Sequence, residues 1–131
     1  MYTRGVTCAS CHDVHDTDHD ALRREPVATV CLQCHGAGSP NGPHTKTLEP
    51  HTHDKAGSAG NECVACHMAK IAQTIGDVMV RSHTFTFTPP STTETLEVPN
   101  ACIGCHTDRS NAWAAEALDT WPEFSPWRVG N

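Results

Sequence analysis

The eight cysteines of this 131-residue chain fall into four pairs, each with two residues between its members and a histidine directly after it. The four motifs are Cys8-Ala-Ser-Cys11-His12, Cys31-Leu-Gln-Cys34-His35, Cys63-Val-Ala-Cys66-His67 and Cys102-Ile-Gly-Cys105-His106. CxxCH is the sequence at which c-type haem is attached, with two thioethers and the adjacent histidine on the iron. The motifs therefore predict four covalent haems with His12, His35, His67 and His106 as proximal ligands.

Three other uses of paired cysteines compete with haem. The first two pairs satisfy a zinc-ribbon spacing, because 19 residues separate Cys11 from Cys31. Neither a zinc ribbon nor a disulfide framework needs a histidine after every pair. A thioredoxin-like redox centre uses one pair within a βαβ pattern, which this sequence lacks. A histidine after all four pairs therefore favours haem.

Six further histidines could supply the second axial ligand of each iron: His15, His19, His44, His51, His53 and His83. Histidine on both sides suits electron transfer and gives a lower potential than a Met/His pair. His15 follows His12 by three residues and cannot reach the other side of the same haem, so it would serve a different haem or none. No histidine follows His106, so the fourth haem would take its distal ligand from upstream or from another chain. His83 is the nearest upstream candidate.

The remaining candidates lie between the second and third motifs or just after the first. His51 and His53 alternate in the sequence HTH, so in an extended segment they would point to opposite sides and could serve two haems. His44 lies in a Pro/Gly-rich loop and His19 in an acidic one, which makes both less favoured as ligands.

Aliphatic residues are scarce. Leu, Ile, Val and Phe number 20, about 15% of the chain, which is below the ~20% at which disorder is suspected. Four haems within a domain of about 14 Å radius of gyration would lie close together and supply the missing apolar core. We therefore predict one domain over residues 1–131, mostly irregular with short α-helices, organised around a closely packed haem chain.

Local patterns place the elements of this domain. Short helices are predicted at the attachment motifs and over residues 64–73, and an extended segment where MVRSHTFTFT alternates Thr with Phe. The segments KAGSAGNE and FTPPSTTETLEVPN are typical of loops. A helix over about residues 110–121 has Ser110 as its N-cap and places Trp113, Ala117 and Trp121 on one face, over the fourth haem.

Charge and hydropathy limit location and partners. The net charge of −6 and the absence of a basic run argue against nucleic acid, and no apolar stretch approaches the ~18 residues of a membrane span. The N-terminus lacks the apolar region of a secretory signal. Because c-type haem is attached outside the cytoplasm, we expect an exported, periplasmic or extracellular protein whose signal is removed or lies upstream.

The chain resembles the multihaem c-type cytochromes with doubled CxxCH motifs, a group related to cytochrome c554 and the small tetrahaem electron-transfer proteins. The resemblance covers most of residues 8–121 and is closest in ECVACHM, RSHTF and PNACIGCHTDRSNAW. It implies that His83, His15 and at least one histidine of HTH are distal ligands. Ala69 stands where the family pattern has proline, which affects only the local turn.

The resemblance and the motifs together predict electron transfer through four bis-histidine haems, as a carrier, a module of a larger protein or a filament subunit. Some proteins of this size polymerise, and a neighbouring subunit then supplies a distal histidine. The expected partners are redox proteins with basic surfaces or copies of this chain. The alternative is a multihaem reductase or oxidase of small nitrogen compounds with one open haem. It is disfavoured by the lack of CxxCK and by a single tyrosine, Tyr2.

Overall fold

Short helices separated by irregular chain make up most of the protein. The computed structural model describes residues 2–15, 27–36, 48–73, 76 and 78–121, which belong to two units, Met1–Thr47 and Leu48–Asn131. In the described part, the longest helices have nine residues, and none is long and apolar enough to cross a lipid bilayer. The predicted irregular fold with short α-helices is confirmed.

The first unit contains two of the four motifs, each on a helix. A 3-10 turn, Tyr2–Arg4, precedes α1, Cys8–Cys11, and α2 spans Val27–His35. Helix α1 begins after Thr7, whose backbone N–H donates to Ser10 Oγ at 3.1 Å. It ends at His12, whose N–H still donates to the Cys8 carbonyl at 2.9 Å. The chain thus leaves the helical turn at the histidine of the first motif.

The second unit holds the other elements. These are α3 (Glu49–Thr52), a 3-10 turn (Ala59–Asn61), α4 (Cys63–His67), β1 (Lys70–Gln73), β2 (Met79–Arg81), α5 (Pro90–Leu96), α6 (Ala101–Cys105) and α7 (Asn111–Asp119). The two strands form an antiparallel sheet that pairs Lys70 with Arg81 and Gln73 with Met79, with an irregularity after Lys70. The remaining elements of this unit are helices and turns.

The helix predicted over residues 64–73 is wrong beyond its first turn. Helix α4 ends at His67, and the next residues turn into strand β1. The competing interaction is the ladder with β2, the strand that was predicted as part of an extended segment. An apolar run this short fits either a helix or a strand, so pairing with a partner decides between them.

Part of the segment FTPPSTTETLEVPN is also a helix rather than a loop. Helix α5 begins with Pro90, where the fixed φ of proline suits the first helical turn. It ends at Glu97, which adopts a left-handed φ of 55°. The Thr-rich composition disfavours a helix on propensity alone, so packing against α7 is what stabilises it. By contrast, KAGSAGNE forms turns, as predicted.

The core of the second unit lies where α5, α6 and α7 meet. Buried side chains here are Pro90 on α5, Ala101 on α6, and Ala114 and Leu118 on α7. Helix α7 confirms the predicted terminal helix, and Ser110 Oγ accepts the Trp113 backbone N–H at 3.1 Å as its N-cap. The buried face is the one with Ala114 and Leu118, while Trp113 and Ala117 lie beside it and are partly exposed.

Candidate cofactor-binding sites

Each of the four cysteine pairs lies within a single helical turn. The first cysteine is the initial residue of α1 and α4, the second residue of α6 and the fifth of α2. Residues three apart in a helix share one face, so the two thiols of each pair point to the same side. All eight cysteines are free thiols, and each is exposed or half-buried. This arrangement suits a planar group attached to both thiols of a pair.

The cysteines do not assemble the zinc ribbon considered above. All eight are described, and within the described part of the chain no three His, Cys, Asp or Glu side chains converge as metal ligands. In the fourth pair, burial raises the pKa of the Cys102 thiol. A backbone hydrogen bond lowers that pKa, and the neighbouring Cys105 raises it.

The distribution of apolar side chains fits a haem protein. Among the described residues, the buried hydrophobic side chains are three alanines and one leucine, Leu118. Several larger ones are exposed, including Val14 at 72%, Leu96 at 66% and Val78 at 59%. A soluble domain normally buries such residues first. The described part of the chain therefore leaves large apolar side chains outside its own core.

His67, the proximal ligand predicted for the third motif, faces another predicted ligand. Its ring centroid lies 6.1 Å from that of His51, and the two ring planes are within 7° of parallel. His67 is the last residue of α4, and His51 lies in α3. The structure thus brings together one proximal and one distal candidate.

His53 has a different neighbour. It ends α3 in the left-handed conformation with a φ of 56°, and its ring stacks on Trp121 with centroids 4.2 Å apart and planes 15° from parallel. The prediction that the HTH segment is extended is wrong, because His51 is helical and the chain turns at His53. The two rings nevertheless have separate neighbours.

His83 lies just after β2 and is held by its own strand. Its Nδ1 donates to the Arg81 carbonyl at 3.0 Å, because a carbonyl oxygen can only accept. In the neutral ring that bond leaves the lone pair on Nε2, a nitrogen through which histidine ligates metals. Phe85 packs edge-on to the ring with centroids 6.1 Å apart.

The fourth motif is flanked by an aromatic and a cationic side chain. Trp113 of α7 lies with its ring 4.8 Å from that of His106, tilted by 55°. The Arg109 guanidinium carbon lies 5.7 Å from the centre of the same indole. Helix α7 thus reaches over the histidine of the fourth motif.

The remaining predicted ligands lie in the first unit. His12 and His35 are half-buried at the ends of α1 and α2, and His15 is exposed on the following turn, where its backbone N–H donates to Asp13 Oδ1 at 3.0 Å. His19 and His44 lie outside the described residues.

Two residues that hold the motifs in place escaped the sequence analysis. Arg81 Nη1 donates to the carbonyls of Val64 and Met68, at 2.9 and 3.1 Å, at the C-terminal end of α4. Asn100 Oδ1 caps α6 by accepting the N–H groups of Cys102 and Ile103, at 3.0 and 3.3 Å. An asparagine just before ACIGC was a detectable N-cap signal. No sequence signal links Arg81 to residues 13 and 17 positions away.

The comparison with known proteins agrees with the first two CxxCH motifs. Residues 2–39 match the family described as the doubled CXXCH motif, and the matched range contains the helices with Cys8 and Cys11 and with Cys31 and Cys34. No curated protein and no solved structure matches the chain.

Proposed function

Because residues 2–39 carry the doubled CXXCH motif of the multihaem c-type cytochromes, we propose that the whole chain is a tetrahaem electron-transfer protein. The observation that carries the proposal is the repetition of one arrangement: all four CxxCH motifs place both thiols in one helical turn, with a histidine at its end. The chain would serve as a carrier, as a module of a larger protein or as a filament subunit.

Each motif residue has a definite part in the proposal. The eight cysteines hold the haems through thioethers, and His12, His35, His67 and His106 ligate the irons on one side. Haem iron, when bound, supplies reversible one-electron transfer. His15, His51, His53 and His83 are the favoured distal ligands, and His19 and His44 are the less favoured ones. The Nδ1–H bond of His83 to the Arg81 carbonyl supports its part, because it orients the ring and fixes the tautomer.

Ligation on both sides makes this protein a carrier rather than an enzyme. A catalytic haem needs an open position for substrate, whereas six spare histidines exceed the four that complete ligation requires. Partners are redox proteins or further copies of the chain. The net charge of −6 favours docking on basic surfaces. Haem attachment implies export to the periplasm or the cell exterior.

Haem stoichiometry and spin state test the proposal. The full chain, expressed with a c-type haem maturation system, is expected to carry four covalent haems by intact mass. Its spectra are expected to be low-spin in both oxidation states, and carbon monoxide should leave the ferrous spectrum unchanged because no axial position is open. The matched control is Cys63→Ser/Cys66→Ser, which should carry three haems.

Two results would overturn the proposal. Fewer than four haems in the unsubstituted chain would remove the tetrahaem assignment. Four haems with carbon monoxide or nitrite bound at one of them would replace the carrier by the reductase alternative.

A further inference from the structure

Resting on the tetrahaem function above, we propose that His51 and His67 are the two axial ligands of one iron, that of the haem attached at Cys63 and Cys66. Nothing in the motif pattern distinguishes His51 from His53 as the distal ligand, since both lie in HTH. The assignment comes from the relation between the two rings.

The separation of the two rings leaves room for one metal ion between them. Metal–imidazole nitrogen bonds of about 2.0–2.1 Å would put the ring centres of two histidines on one metal about 6.2 Å apart. The observed distance between His51 and His67 is 6.1 Å. Direct face-to-face contact in the same unit is much shorter, as the 4.2 Å between His53 and Trp121 shows.

Hydrogen bonds within the chain between His51 and His67 stabilise the distance between their rings. Thr52, next to His51, donates its Oγ1 hydroxyl to the Leu48 carbonyl at 3.1 Å. The same oxygen accepts the Asn61 Nδ2 amide at 2.8 Å, and that amide also donates to the Asp54 carbonyl at 3.3 Å. Asn61 lies two residues before Cys63, so α3 is tied directly to the start of α4.

The far end of α4 is fastened too. Arg81 donates to the carbonyls of Val64 and Met68 on either side of His67 in sequence, and the Met68 N–H donates back to Val64 at 3.2 Å. His67 therefore sits between two anchored points. The helix that carries the distal histidine and the helix that carries the proximal one are both fixed before any cofactor contact is considered.

His53 does not compete for this iron. An iron ligated by His67 has one opposite position, and the ring placed against His67 is that of His51. The left-handed turn at His53 sends its ring to Trp121 instead. His51 and His53 lie two residues apart and have different neighbours, so their alanine variants can be compared directly.

The experiment uses the full chain with its haems attached and compares His51→Ala with His53→Ala. In His51→Ala we expect one high-spin haem per chain, carbon monoxide binding to one ferrous haem, and return to low spin on adding imidazole. In His53→Ala any high-spin haem should lie outside the third site, and it should therefore persist in the three-haem protein Cys63→Ser/Cys66→Ser. His51→Met keeps an axial ligand, so this variant should fold and its four haems should stay low-spin. One reduction potential should rise, because methionine ligation raises the potential of a haem.

A second background identifies which haem responds. In the three-haem protein Cys63→Ser/Cys66→Ser, adding His51→Ala should produce no further high-spin haem. If it does produce one, His51 ligates another iron and the inference is wrong. If His51→Ala and His51→Met both leave all four haems unchanged, the rings are only packed together and the inference is also wrong.

These failures are separable from failure of the proposed function. The function fails on the unsubstituted chain, through a haem count below four or an axial position already open to carbon monoxide. The axial pairing fails only in the variants, with four low-spin haems still present in the parent protein.

Discussion

At the scale of single residues, the positions that place the motifs are not the motif residues themselves. Arg81 is half-buried, and its guanidinium donates two hydrogen bonds to carbonyls at the end of α4. A cation at a helix C-terminus also interacts favourably with the helix dipole. Arg81 is thus a positioning residue for the third motif, and its own carbonyl holds His83.

Replacing Arg81 by glutamine should lower the free energy of unfolding of the haem-loaded protein by about 1.5–3 kcal/mol, the range for hydrogen bonds to a charged group. The measurement is guanidinium chloride denaturation followed by circular dichroism. Arg81→Lys should lie between glutamine and the parent, because lysine keeps the charge without the planar fork.

The matched control for Arg81 is Arg4→Gln, since Arg4 is exposed in the 3-10 turn of the first unit. Its unfolding midpoint should stay within error of the parent. An Arg81→Gln protein as stable as Arg4→Gln would show that the two hydrogen bonds to α4 contribute nothing net.

At the scale of elements, the fourth motif depends on a polar hub. Asn100 is completely buried; besides capping α6 it donates to Thr93 Oγ1 and to Asn111 Oδ1, both at 2.8 Å. Asn111 in turn donates to the Pro90 carbonyl at 3.0 Å. One side chain therefore ties together the starts of α6 and α7 and the body of α5.

Asn100→Ala should cost about 2–4 kcal/mol, because it removes an N-cap and leaves buried partners unsatisfied. Ser110→Ala, which removes only the exposed cap of α7, should cost about 1 kcal/mol. Thermal or denaturant unfolding of both variants checks the difference. Equal effects would mean that the buried hub adds nothing to capping.

The helices and strands of the second unit differ in how well the sequence predicts them. Helix α7 was predictable because Ser110, the alanine-rich run and the pattern of apolar residues agree with one another. Helix α5 was not, because four β-branched or hydroxyl residues follow its prolines and only packing against α7 favours a helix. Strand β1 was not, because Ile71 and Ala72 follow a helix without a break and only β2 gives them a partner.

The candidate haem ligands also differ in how far the sequence predicts them. The proposed attachment residues follow from the spacing of cysteines and histidines alone, because that pattern is local in the sequence. The choice between His51 and His53 is not local, because it depends on a left-handed turn at a residue other than glycine and on a tryptophan 68 positions further along the chain.

At the scale of the whole molecule, the described part of the chain buries few apolar side chains of its own. The buried hydrophobic side chains of the described part are Ala69, Ala101, Ala114 and Leu118. At about 25 cal/mol per Å² such small side chains cannot offset the conformational entropy of ordering a chain of this size. Under the proposed function, the haems supply the remaining stabilisation.

The chain without haem is therefore expected to remain unfolded. Expression without the maturation system, or substitution of all eight cysteines by serine, should give a random-coil circular dichroism spectrum and no cooperative thermal transition. A folded, cooperatively melting haem-free protein would show that the polypeptide core suffices.

The division into two units leads to a second expectation at this scale. The fragment of residues 48–131 contains the third and fourth motifs, His51 and His83, and the α5–α7 core. Expressed with the maturation system, it should fold with two haems and show no reaction with carbon monoxide. A high-spin haem in the fragment would mean that a ligand comes from residues 1–47 or from another chain.

The short tie between Thr52 and Asn61 also bears on the order in which the protein assembles. His51 and His67 are only 16 positions apart, so closing this loop costs little entropy, and contacts so near in sequence form early. Only a short local loop therefore has to close for the proposed distal histidine to reach the iron of a haem attached at Cys63 and Cys66.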